Sequence, residues 1–153
     1  YWLNQFQEEF PVLDLPYDFK RPSVQSFRGN TIETVINKEI KDKIVKLSQK
    51  TGTTEYMVLL SALMVLLHKY SRQEDIIIGS PISGRTHKDT ESMLGVFVNT
   101  LAMRGRPEKG KYFVDFLSEI KETCLGAYEN QEYPFEELVD EVVTKRDFNF
   151  SPV

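Results

Sequence analysis

Apolar residues recur along this chain at helical spacing in four places and gather into short strand-like runs in three. Ile32, Val35 and Ile36 follow the Arg28-Gly29 break and predict a strand over residues 28–37. Ile40, Ile44 and Leu47 then sit at i, i+4 and i+7, which predicts an amphipathic helix over 38–50 with Thr51-Gly52 as its stop. A second helix begins at a threonine cap, Thr53 or Thr54, and runs to about Arg72. Its apolar residues surround it, so it belongs at the centre of the core. Residues 75–79, with Ile76-Ile77-Ile78 ahead of Gly79, predict a short buried strand.

After a loop carrying Pro81, Gly84, Arg85, His87 and Lys88, residues 95–101 predict another strand, and 105–110 a turn-rich break. Phe113, Phe116, Leu117, Ile120, Cys124 and Ala127 form one stripe of a third helix over 112–128. Pro134 suits the first position of a last helix whose inner face holds Phe135, Leu138, Val139 and Val142. From Lys145 onward no period remains. At the other end, Pro11, Pro16 and Pro22 remove amide donors and fix φ, so residues 1–24 read as an extended connector with little regular structure.

Strands alternating with helices place the chain in the α/β (or α+β) class. Three strands under four helices make a thin sheet, which suggests that the chain is a piece of a larger domain. The absence of an initiator methionine, with Tyr1-Trp2 at the start, points the same way.

Composition narrows the function classes. The net charge of −4 and the lack of a basic stretch argue against a nucleic-acid partner. The longest apolar stretch, 57–67, is too short for a bilayer span, so no membrane partner is expected. No signal peptide is visible at residues 1–25. One cysteine, Cys124, excludes an internal disulfide and fits a reducing, cytoplasmic setting.

Candidate chemistry is sparse. His68 lies inside the apolar helix and reads as a packing histidine, while His87 sits in a basic loop without a partner at metal-ligand spacing. Ser80 and Ser83 stand beside Gly79 and Gly84, but the stretch is neither GxSxG nor a phosphate loop. Cys124 falls on an apolar stripe and reads as core. Glu136 and Glu137 are adjacent, so on a helix they diverge and read as a solvated face. Residue chemistry alone assembles no catalytic constellation and no metal site.

Four segments in order carry more. Leu15-Pro16-Tyr17-Asp18-Phe19-Lys20-Arg21-Pro22 resembles an LPxDxxRP connector, and Ile78-Gly79-Ser80-Pro81-Ile82-Ser83-Gly84-Arg85 an IGxPxxGR loop. The stretch from Gly95 to Arg104 resembles GxFVNTxxxR. Asn130-Gln131-Glu132-Tyr133-Pro134-Phe135-Glu136 resembles (H/N)QDYPFE, with Glu132 for the usual aspartate. Together they resemble the condensation domain of nonribosomal peptide synthetases, over essentially the whole chain. Arg146 to Pro152 resembles a diverged RDxSRNPL, with Asn149 and Phe150 in place of the serine and second arginine.

The resemblance implies two lobes of chloramphenicol-acetyltransferase type flanking a tunnel. On that reading residues 1–27 connect from an N-terminal condensation subdomain, and 28–153 belong to the C-terminal one. It implies donor and acceptor carrier proteins as partners, an adjacent adenylation domain, and substrates held on phosphopantetheine, with no cofactor bound directly. The family's HHxxxDG motif, which carries its catalytic histidine, does not occur in this chain. No residue here is therefore expected to be catalytic, and the chain alone is expected to be inactive. Arg28 matches the arginine that pairs with the aspartate of that motif; otherwise it is an exposed arginine at a strand start. Asn99 matches the motif asparagine near the tunnel, either orienting substrate or tying down backbone between subdomains. Gly79, Pro81, Gly84, Arg85 and Gly95 are expected to shape loops at the tunnel. The GVFVNT form favours amide-forming condensation over epimerisation or heterocyclisation. Two other readings stay open: a free-standing thioester-dependent acyltransferase, and a non-catalytic docking module of the same fold.

Overall fold

The computed structural model describes residues 1–9, 12–19 and 28–142. The elements run α1 (Trp2–Gln5), α2 (Lys38–Thr51), α3 (Glu55–Ser71), β1 (Ile76–Ile82), β2 (Asn99–Gly105), α4 (Phe113–Glu129) and α5 (Phe135–Val142), with a single 3-10 turn at Lys88–Thr90.

The helices start and stop where local chemistry provides caps. Asn37 caps α2 by accepting from the Ile40 amide at 2.9 Å, and Gly52 ends it in the left-handed conformation, φ 62°. The Thr53 amide returns to Ser48 O at 2.9 Å, closing the C-terminal turn. Thr54 is the cap of α3, accepting from the Met57 amide at 3.2 Å. Pro134 directly precedes the first residue of α5, within the one-residue latitude of a helix boundary.

β1 and β2 form an antiparallel pair, from Ile76 opposite Gly105 to Ile82 opposite Asn99. β2 is buried on both faces from Leu101 to Gly105, because α4 packs on it and the N-terminal segment covers its far end. Met64, Leu101, Met103, Leu117, Ile120 and Cys124 are fully enclosed and form the centre of the core. At Gly105 a side chain would meet Met64 Sδ and Ile120 Cδ1 at 2.6 Å each, so glycine sets how closely α3 and α4 approach the strand.

Three expectations differ from the structure. Residues 28–37 form no strand: Ile32 and Val35 are 93% and 91% exposed, and among the described residues no strand lies beside them. β-branched residues favour a strand only where a neighbour supplies the ladder. The strand expected at 95–101 instead spans Asn99–Gly105, and β1 runs past Gly79 to Ile82. Pro81 is accommodated because β1 pairs on one side alone among the described residues, leaving an edge where a missing N–H is tolerated. The pairing stops at Ile82 because Gly84, φ +63°, turns the chain under Phe97; a Cβ there would lie 1.7 Å from Phe97 O.

The third difference is at the start of the chain. Residues 2–5 are helical, and Trp2 and Phe6 are core residues at 5% exposure each. The Trp2 indole N–H donates to Asn130 O at 2.9 Å, and the Tyr1 hydroxyl to Thr123 O at 3.1 Å. Further on, the Gln73 side chain pairs with backbone like a strand neighbour, accepting from the Asp14 amide and donating to Val12 O. Proline density predicted an extended path but gave no sign of these anchors.

Large apolar side chains remain exposed. Tyr56, Leu59, Leu63, Leu66 and Tyr70 line one face of α3, between 37% and 63% exposed. Leu94 and Val96 protrude from the loop before β2. Among the described residues no single helix is long and apolar enough to cross a membrane.

Candidate functional site

Three of the four motif segments meet at one end of the β1–β2 pair. Asn99, the first residue of β2, is their hub. Its amide nitrogen donates to Gln131 O at 2.9 Å and to Tyr133 O at 2.8 Å. Its amide oxygen accepts from the Phe135 amide at 3.1 Å and the Thr100 amide at 2.9 Å. A carboxamide has two donors and two acceptor lone pairs, so this side chain is saturated by backbone. It ties β2 to the turn between α4 and α5 inside this chain, and no hydrogen-bonding capacity remains for a substrate.

Arg85 organises the loop from 85 to 98. Its guanidinium lies over the Phe97 ring, 4.3 Å from the centroid, and donates to Thr90 O and to Gly95 O. Next to it, the Thr86 hydroxyl donates to Glu132 Oε1 at 2.9 Å, so the glutamate at the usual aspartate position links this loop to the α4–α5 turn. Gly95, φ +151°, lies against the Phe97 ring, Gly79 faces Thr100, and Pro81 is opposite Thr100 in the ladder. Gly79, Pro81, Gly84, Arg85, Gly95 and Asn99 thus belong to one continuous structure. Arg28 is exposed at the head of residues 28–37. Part of the LPxDxxRP connector, residues 20–22, and the RDxSRNPL-like tail lie outside the described residues.

His68 is buried, its Nδ1 2.8 Å from Gln73 O, and His87 is exposed next to Asp89. The Ser80 hydroxyl accepts from the Tyr56 hydroxyl at 2.7 Å rather than facing a base. Desolvation raises the Tyr56 hydroxyl above the usual phenol range despite the opposing effect of the Ser80 hydrogen bond. Burial pushes the Cys124 thiol up to about 11, the behaviour of an inert core cysteine. Among the described residues no group of three histidine, cysteine or carboxylate side chains is placed to hold a metal.

One pair had no role expected from the sequence. Arg104 is 6% exposed and forks onto Asp75, with Nε to Oδ1 at 2.9 Å and Nη2 to Oδ2. The signal was present: Arg104 ends the GxFVNTxxxR stretch, and Asp75 directly precedes three isoleucines. A charge embedded in an apolar strand requires a partner.

The described residues form an α/β scaffold that fastens the motif loops to one end of an antiparallel strand pair. The condensation-domain family profile matches residues 1–153, and the chain belongs to that family. It is 52% identical over its whole length to gramicidin S synthase 2 of Brevibacillus brevis, of which it covers 3%. It is 49% identical over its whole length to tyrocidine synthase 3 of Brevibacillus parabrevis, of which it covers 2%. Among solved structures, a four-domain nonribosomal peptide synthetase bound to AMP and glycine superposes with a TM-score of 0.94 at 28% identity, over 99% of this chain and 12% of that one. The X-domain from teicoplanin biosynthesis in complex with OxyB shares the fold, with a TM-score of 0.92 at 22% identity over 99% of this chain and 34% of that one. The chain thus spans a small fraction of the proteins it matches.

Proposed function

We propose that this chain is the positioning half of an amide-forming condensation domain in a nonribosomal peptide synthetase. The observation that carries the reading is the joining of the IGxPxxGR, GxFVNT and (H/N)QDYPFE segments through Asn99, Arg85 and the Thr86–Glu132 contact. In the reaction, an amine on the acceptor's phosphopantetheine arm attacks the donor thioester carbonyl. The C–N bond forms, the C–S bond breaks, and the amine proton leaves to a base while the donor thiol is released. The second histidine of an HHxxxDG motif in an N-terminal subdomain serves as that base or orients the transition state, and Arg28 holds the motif's aspartate with a two-pronged contact suited to a carboxylate. The loops around Asn99 and Arg85 fix the wall against which amine and thioester align, and alignment supplies roughly 7–11 kcal/mol of the barrier reduction in well-oriented systems. Carrier proteins, an adjacent adenylation domain and a cytoplasmic setting complete the reading.

The test is a condensation assay with loaded donor and acceptor carrier proteins. A complete domain carrying this sequence forms the amide, and the 153-residue chain alone does not. Arg28→Ala lowers the rate of the complete domain; an unchanged rate removes Arg28 from the mechanism. A complete domain that binds carrier proteins without turnover overturns the reading in favour of a docking module, and turnover of a free acyl thioester favours a free-standing acyltransferase. The isolated chain is expected to self-associate through its exposed apolar faces, and a clean monomer by light scattering at high concentration contradicts that.

A further inference from the structure

We infer that Arg104 is the anchor of a strap formed by residues 1–8, fixing that segment to the end of β2 so that strap and sheet move as one body. α1 is a single turn without a side-chain cap, and a helix that short does not hold itself together in water. Its last carbonyls have no partner within the helix. Arg104 supplies one: Nη1 donates to Gln5 O at 2.7 Å while Nε and Nη2 grip Asp75. The Phe6 ring covers the guanidinium at 5.7 Å, and Arg106 adds a bond to Glu8. The guanidinium fork thus satisfies a partly buried carboxylate and an orphan helix carbonyl at once, which a lysine cannot do in one geometry.

The strap touches the body at discrete points. Between Asn4, Gln7 and Glu8 on one side and Thr123 and Glu119 on the other lies an open cleft of about 360 Å³. Continuous packing therefore does not hold the segment; the Tyr1 contact to α4, Trp2, Phe6, the Arg104 contact and the Arg106–Glu8 pair do. Bending between this body and any preceding lobe must then occur outside residues 1–8. Every contact of the anchor lies within this chain, so the strap is held in this way whether or not the parent domain forms amides.

Hydrogen–deuterium exchange on the complete polypeptide carrying this sequence tests it, read on peptides covering 1–9, 99–105 and 113–129. At labelling times short against global unfolding, Arg104→Met is expected to speed exchange in 1–9 by about tenfold, while uptake in α4 changes less than about twofold. Arg104→Lys keeps the charge but loses the fork, and is expected to fall between parent and Met. If Arg104→Met does not fold, Arg104→Lys and Asp75→Asn carry the same reading. Unchanged exchange in 1–9 overturns the inference. Equal acceleration in all three peptides also overturns it, because Arg104 would then support the sheet rather than the strap.

Discussion

The two ends of β2 are fastened by different chemistry. At Asn99 the tie is neutral: one carboxamide against four backbone groups of partly buried turns. At Arg104 it is ionic and buried, with a fork on Asp75 and one backbone carbonyl. A neutral tie holds a loop at modest cost if it fails, because the freed groups lie near solvent. A buried charge commits its surroundings, since losing either partner strands the other in a poor dielectric. β2 is thus a girder with a heavily committed end under the strap and a lightly held end under the motif loops.

The largest expected effect separates the ends directly. Arg104→Met leaves Asp75, partly exposed, with only Arg106 at 3.9 Å, and is expected to destabilise by about 3 kcal/mol in denaturant unfolding, the low end for breaking a buried pair. Asn99→Ala, which frees hydrogen-bonding groups nearer the surface, is expected to lose about 1–3 kcal/mol. Equal losses would erase the distinction. Asn99→Asp sharpens it: the shape is kept, but a carboxylate oxygen replaces the donor facing Gln131 O and Tyr133 O. It should be at least as damaging as Asn99→Ala, and a neutral result would show that shape matters at this end rather than donor pattern.

Gly84→Ala probes the loop beside the lightly held end. The substitution forces an L side chain into φ +63° and onto Phe97 O, a combination expected to cost about 1–3 kcal/mol. If the loop is as loosely committed as the comparison says, Gly84→Ala perturbs exchange across residues 83–98 and leaves the strap untouched. A matching disturbance in residues 1–9 would mean that the two ends are coupled through the strand.

The sequence carried unequal information about these regions. Helical periodicity placed α2 to α5 closely, because the threonine cap of α3 and the stop at Gly52 are local chemistry. Asn99 stood out through its motif, but three of the four groups that saturate it lie more than thirty positions away, which is a tertiary fact. Residues 28–37 and 95–98 failed as strands because β-branched composition reports fitness for a sheet and not the presence of a neighbour. Trp2, Phe6, Asp75 and Arg104 were misread or overlooked for one reason: their partners are distant in sequence, and no period links residue 5 to residue 104. Arg28 stays exposed in the structure, so its motif match rests on sequence resemblance.

The smallest expected effect lies between the ends, at Cys124 on the face of α4 that packs under β2. Its thiol is enclosed, and burial pushes it from 9.0 up to about 11. At neutral pH the folded and unfolded thiols are both protonated, so it adds no pH dependence there. Above about pH 9 the unfolded thiol ionises while the folded one keeps its proton. The contribution is therefore fully present below the unfolded pKa and disappears as pH rises through the folded one. Two measurements follow: native chain at pH 8 should resist thiol alkylation until denatured, and the urea midpoint should fall between pH 8 and pH 10.5 more for the parent than for Cys124→Ala. Ready alkylation of the folded chain would mean that the middle of the girder opens on its own. The strong and weak ends would then be two parts of one loose element, and the ranking of Arg104 above Asn99 would lose its basis.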